Sequence, residues 1–250
     1  MSGHSKWSTI KHKKAAQDAK RGRVFTKIIK EMTVAARLGG GDPDGNPRLR
    51  SAVAAAKAAN MPQDNIKRAI QKGTGELPGT VYEEVVYEGY GPGGVAIYVH
   101  VYTDNKNRTT PEVRHIFSKY AGNLGEPNSV AWMFEKKGQL IVPASVTTEE
   151  ALMETVLDAG ADDLAQNDDG DFEIITTPDT FDAVRDALEK SNIETTAAEV
   201  VMEPTNKVHL DGKKAQQCLK LLGALEDQED VQSVYANLEF DEAELEAEVT

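Results

Sequence analysis

Residues 134 to 205 carry the pattern that most narrows what this chain can become. The segment GQLIV at 138–142 is followed by a helical period at 148–159, strand periods at 161–166 and 171–177, a second helical period at 179–190 and a strand at 194–203. That succession is β-α-β-β-α-β, the ferredoxin-like order, and it closes its own sheet. What lies on either side must therefore find partners elsewhere. Upstream, EEVVYEGYGPGGVAIYVHVYTD at 83–104 predicts two strands joined by a glycine-proline turn, and TTPEVRHIFSKYAG predicts a helix capped by Thr110 with Pro111 at its first position. Downstream, Asp211 caps a helix and VQSVYANLEF forms a strand, and neither has a sheet of its own. Pairing them with the sheet of residues 82–121 makes 134–205 an acidic ferredoxin-like domain inserted into a split α/β domain of residues 80–133 plus 206–238.

Residues 1–79 carry helical periods throughout. Ser8 or Thr9 caps a helix reaching about Lys20, where KRGR is expected to break it at Gly22. Val24, Phe25, Ile28, Ile29 and Met32 then share one stripe, with Lys27, Lys30 and Arg37 on the other side. After GGGDPDGNP, Asn46 caps a helix with Pro47 at its first position, and a last helix from Pro62 to Gly73 buries Ile66 and Ile70 while presenting Lys67, Arg68 and Lys72. The alanine-rich SAVAAAKAAN supplies little side-chain volume, so this bundle is thin. The fold class is thus α+β multidomain: an N-terminal helical bundle followed by two α/β domains of ferredoxin-like type, the third inserted in the second. Residues 239–250 form an acidic tail.

Charge is distributed by module. The chain has a net charge of −13, yet residues 1–80 hold 16 basic and 6 acidic side chains, whereas residues 134–205 hold 4 and 18. A basic module carried by acidic ones predicts docking on a polyanion through one face only. The single Cys218 excludes an intramolecular disulfide framework, and its spacing with Ala215, Leu222 and Leu225 assigns it to a core. No apolar run is long enough to span a bilayer, and the polar, basic start is unlike a signal peptide, so a monomeric cytoplasmic protein without a membrane partner is expected. The basic start also suits a mitochondrial presequence, but it runs into helical periodicity without an evident cleavage region. His4, His12, His100, His115 and His209 form no metal-binding pattern, and neither a metal nor a cofactor is expected.

The expected nucleic-acid surface comprises His4, Lys6, Trp7, Lys11, His12, Lys13, Lys14, Lys20, Arg21, Arg23, Lys27 and Lys30, extended by Lys67, Arg68 and Lys72. Cations set the affinity for phosphates, and Trp7 serves either as a stacking platform or as the anchor of the thin bundle. GYGPGG leads into a strand rather than a helix, which makes it a hairpin turn and not a phosphate loop. TDNKNRT leaves a strand and enters a helix, so Asn105, Asn107 and Arg108 make a candidate anion site, with helix capping as the competing explanation.

The stretches GHSKWSTIKHKKAAQDAKRGRVFTKIIKE, GGGDPDGNPRLRSAVAAAKAANMPQDNIKRAIQKG, YEGYGPGGVAI, TDNKNRT and NLGEPNSVAWMFEKKG together resemble the YebC family of probable transcriptional regulators, which also includes a mitochondrial translational activator of cytochrome oxidase subunit one. The resemblance covers essentially the whole chain. It implies a helical domain followed by two α/β domains, the third inserted in the second, and a cytosolic regulator of gene expression without catalysis. The expected partner is DNA, with ribosomal RNA and the ribosome as the alternative; an enzyme or small-ligand sensor built on TDNKNRT is the remote rival. No helix-turn-helix is evident, which argues against direct major-groove reading.

Overall fold

The computed structural model describes residues 18–167 and 170–240. Helix α1 spans Asp18–Gly39, α2 Pro47–Ala58 and α3 Gln63–Thr74. Contrary to the expected break, α1 runs straight through Gly22, where a methyl group would meet nothing within 4 Å. An exposed glycine inside a helix costs about 1 kcal/mol relative to alanine, too little to end one held by packing. The start of α2 follows the sequence: Asn46 accepts the Leu49 amide at 3.1 Å and Pro47 opens the helix. Helix α3 does not stop at Gly73 but at Thr74, with Gly75 in the left-handed region at φ 83°. Gly73 serves packing instead, because a Cβ there would lie 2.4 Å from the Thr33 carbonyl oxygen of α1. The bundle core is Met32, Leu49, Met61 and Ile66 among alanines, as thin as the sequence indicates.

Strands β1 (Glu83–Tyr90) and β2 (Ala96–Thr103) form an antiparallel hairpin across a short 3-10 turn at Pro92–Gly94, with Gly93 at φ 74°. Helix α4 (Lys106–Lys119) follows. It begins earlier than the sequence suggests, capped by Asn105 rather than Thr110, and Pro111 lies inside it. Strand β3 (Asn123–Leu124) pairs with β1. A four-stranded antiparallel sheet then forms from β4 (Phe134–Val142), β5 (Ala161–Gln166), β6 (Phe172–Thr176) and β7 (Ala197–Pro204) in the order β5-β6-β4-β7, covered by α5 (Glu149–Leu157) and α6 (Phe181–Lys190). The chain returns through β8 (Val208–His209), α7 (Gly212–Asp227), β9 (Val231–Ala236) and β10 (Leu238–Glu239).

Strand β9 lies antiparallel to β2, with Ile97 opposite Ala236, so the first sheet has the order β3-β1-β2-β9. Helices α4 and α7 cover one face of it, burying Val99, Val101, Phe117, Cys218 and Leu222. Strands β8 and β10 form a short parallel pair. A small apolar cluster of Ala96, Val130, Phe134, Val201 and Tyr235 joins the two sheets.

Candidate nucleic-acid interface

The basic face expected at the N-terminus divides into three groups. His4, Lys6, Trp7, Lys11, His12, Lys13 and Lys14 lie outside the described residues, as does the acidic tail from residue 241. Lys20 and Arg21 occupy the first turn of α1. Further along α1, the cations turn toward the protein. Arg23 pairs with Asp227 at the end of α7. Lys27 is half-buried and donates to the carbonyl oxygens of Glu226 and Gln232, each at 3.3 Å. Lys30 is 4% exposed and donates to Asp230 Oδ1 at 3.1 Å and to the Glu229 carbonyl oxygen at 3.0 Å. Lys30 is therefore not presented to solvent as its helical position suggests; its ammonium fastens α1 to the loop before β9.

Asp230 is the centre of that junction. Besides Lys30, its carboxylate accepts from Arg108 at 2.7 Å, Thr109 at 2.7 Å and Thr103 at 3.2 Å. Burial by itself raises the carboxyl, but the bonds from Arg108, Thr109 and Lys30 and the Lys30 charge outweigh it and hold the group down to about 2. The same geometry alters the reading of TDNKNRT. Asn105 accepts the Arg108 amide at 3.2 Å as a helix cap, and the Arg108 guanidinium faces Asp230 and, at 3.1 Å, Asp104. Two carboxylates around one guanidinium leave little attraction for a further anion, and although all three candidates are exposed, Asn105 is engaged as a cap and Arg108 in ion pairs. Asp230 gave no signal in the sequence, because its partners lie more than 120 residues away.

On α3 the expectation of solvent-facing cations fits the packing. Ile66 and Ala69 are buried against α1, which turns Lys67, Arg68 and Lys72 outward, all three exposed. None has an acidic partner among the described residues.

Between the bundle and the sheet lies a network the sequence did not reveal. Arg48 donates to Glu31 at 2.7 Å and to Glu84 at 3.3 Å, and it also bonds the Tyr102 hydroxyl, which donates to Glu31. His100 bonds Glu84 at 2.6 Å, and that bond, opposed by burial and joined by the Arg48 charge, draws the Glu84 carboxyl down to about 2. Burial lowers the Arg48 pKa, but Glu31 more than compensates and raises it above the ordinary value. Arg50 reaches Asp182 on α6 at 3.0 Å, and Arg185 of α6 reaches Ser51 at 3.0 Å. Arginines of α2 thus face Glu84 of the first sheet and Asp182 of a helix covering the second.

These features define a protein of three interlocked parts, a basic helical module bolted by ion pairs onto two antiparallel α+β units. Comparison with known proteins gives that class a family. The model described as the TACO1/YebC protein N-terminal domain matches residues 5–76, and that for the TACO1/YebC second and third domain matches residues 82–238. The chain is 60% identical over 245 residues to a probable transcriptional regulatory protein of Acidobacterium capsulatum, covering 98% of each chain. It is 58% identical over 246 residues to one of Geobacter sulfurreducens, covering 98% of this chain and 99% of the other. The crystal structure of a conserved hypothetical protein from Aquifex aeolicus, 49% identical, superposes with a TM-score of 0.82 over 90% of this chain and 93% of that one. The chain belongs to the TACO1/YebC family.

Proposed function

We propose that this protein is a non-enzymatic regulator of transcription that docks on duplex DNA through phosphate contacts made by its N-terminal module. The observation that carries this reading is the outward triad Lys67, Arg68 and Lys72, without an acidic partner among the described residues, on a module of 16 basic and 6 acidic side chains within a chain of net charge −13. The names of the relatives as probable transcriptional regulatory proteins agree with it. Such contacts fix position on a duplex without reading its bases. The acidic inserted unit restricts binding to sites where the basic face alone meets the polymer. No catalytic step is part of this reading: Cys218 lies in the core, its thiol pushed up to about 12 by burial.

The same cations neutralise ribosomal RNA. The 18 acidic side chains of residues 134–205 favour this second reading, since they would repel bare DNA yet suit basic ribosomal proteins. Co-sedimentation with ribosomes, set against binding to a bare duplex at equal salt, separates the two. For DNA, neutralising six phosphates predicts a slope of log affinity against log salt of about −5, and replacing Lys11, Lys13 and Lys14 by Ala flattens it by about 2 to 3 units. A slope untouched by that triple change would remove the N-terminal segment from the interface.

A further inference from the structure

The outer layer of the first sheet carries a second concentration of positive charge. Helices α4 and α7 run antiparallel there: near the start of α4, Arg108 bonds Asp230, and in its middle Glu112 accepts from Gln228 at 2.8 Å, both partners lying just past the end of α7. Just past the end of α4, a Cβ at Gly122 would lie 3.0 Å from Leu221 Cδ2, so the end of α4 lies beside the middle of α7. Burial of Val113 and Phe117 on α4, and of Ala215, Cys218 and Leu222 on α7, turns Arg114 and Lys119 of one helix and Lys213, Lys214 and Lys220 of the other to solvent. None of these five has an acidic partner among the described residues. The acids of the two helices are Glu112 in the middle of α4, held by Gln228, and Glu226 and Asp227 at the end of α7, where Asp227 is paired with Arg23; the cap of α7, Asp211, is exposed two residues before Lys213. A merely solvated face mixes signs. Here exposed cations outnumber the exposed acids, while α5 alone exposes Glu149, Glu150 and Glu154.

We propose that the outer face of α4 and α7, through Arg114, Lys119, Lys213, Lys214 and Lys220, is a second phosphate-binding surface for the DNA duplex held by the N-terminal module. The proposal rests on the nucleic-acid reading above and extends it to a part of the molecule outside that module. Charge complementarity selects the occupant, because five exposed cations without an acidic partner among the described residues, on a chain of net charge −13, match a polyanion. The geometry is compatible with one continuous duplex. Helix α1 is tied to the end of α7 through Arg23 and Lys27, so the module sits at one end of this layer. A 14-residue helix such as α4 is about 20 Å long, the span of roughly six phosphates along one strand.

The test measures the salt dependence of binding to a 24-base-pair DNA duplex, in a length of about 80 Å, by fluorescence anisotropy with the full chain. Three proteins are compared: the unsubstituted chain, Lys213→Ala/Lys214→Ala/Lys220→Ala, and Lys67→Ala/Arg68→Ala/Lys72→Ala. The α7 triple is expected to lower the magnitude of the slope by about 2 to 3 units and to weaken binding at 0.1 M salt on the order of 100-fold, with an unchanged thermal melt. Arg114→Ala/Lys119→Ala, a change on the neighbouring helix, should remove about 2 units by itself, which guards against a folding defect in the first variant. A normal slope in both the α7 and α4 variants, alongside a reduced slope in the α3 triple, overturns this surface and leaves the module's role intact. A reduced slope on an RNA duplex only overturns the choice of DNA. No binding by the unsubstituted chain to either polymer overturns the proposed function and this surface together. Truncation after Phe240 tests the rival occupant, the chain's own acidic tail: if the α7 cations serve only the tail, removing both the tail and those cations leaves DNA affinity equal to that of the tail truncation alone.

Discussion

At Asp230, in the loop before β9, one carboxylate accepts from Lys30, Thr103, Arg108 and Thr109, all four from elements distant in sequence. Removing one partner of a buried pair strands the other charge. Asp230→Ala is therefore expected to cost about 3 to 5 kcal/mol in denaturant unfolding, whereas Lys30→Met combined with Asp230→Leu should recover most of that loss. The pH dependence follows from the depressed carboxyl. Its contribution is complete above the ordinary carboxylate range near 4 and is lost as pH falls toward 2, amounting to about 2 to 3 kcal/mol. Unfolding midpoints measured between pH 6 and pH 2.5 should thus fall more steeply for the natural chain than for Asp230→Asn; parallel acid limbs would refute the assignment. Glu88 plays a comparable part within one unit. Its buried carboxylate accepts the amides of Asn128 at 2.6 Å and of Val130 and Ala131 at 2.7 Å, shaping the loop that leads into β4. Glu88→Ala leaves three amides without their acceptor and should destabilise by at least 2 kcal/mol, read from the same denaturant curves.

Among the elements, α1 shows how a local signal is overridden. The glycine in KRGR suggests a break, yet the helix continues because Phe25, Ile28 and Met32 pack onto the bundle and Lys30 is held by Asp230. Since a methyl group at Gly22 meets nothing, Gly22→Ala is expected to raise stability by about 0.5 to 1 kcal/mol, seen as a higher melting temperature. Elements fixed by local chemistry were legible: Asn46 with Pro47, the glycine-proline turn before β2, and the alternation of the inserted sheet all occur where the residues place them. Position on a helix was less informative about solvent access. Lys27 and Lys30 lie off the apolar stripe but meet carbonyls and a carboxylate contributed by residues about 200 positions later. The cap of α4 shifted from Thr110 to Asn105 because Thr109 and Thr103 are drawn inward by Asp230, which extends the helix backward by a turn.

For the molecule as a whole, the order β5-β6-β4-β7 leaves no strand of the second sheet waiting for a distant partner, whereas β2 is an edge until β9 arrives. We infer that residues 134–205 fold alone, showing a cooperative thermal transition by circular dichroism, and that residues 80–133 do not. Cooperative unfolding of the shorter fragment would reject a split unit. The tie between Lys30 and Asp230 spans 200 residues of sequence. At a synthesis rate of about 5 to 20 residues per second, the helix that bears Lys30 leaves the ribosome roughly 10 to 40 seconds before its anchor exists. Throughout that interval the N-terminal helices are present without the loop that later occupies their inward cations. A nascent chain stopped before residue 230 is thus more cationic in its accessible face than the finished protein, and the loop made just before β9 sets how much of the first helix is left for a partner.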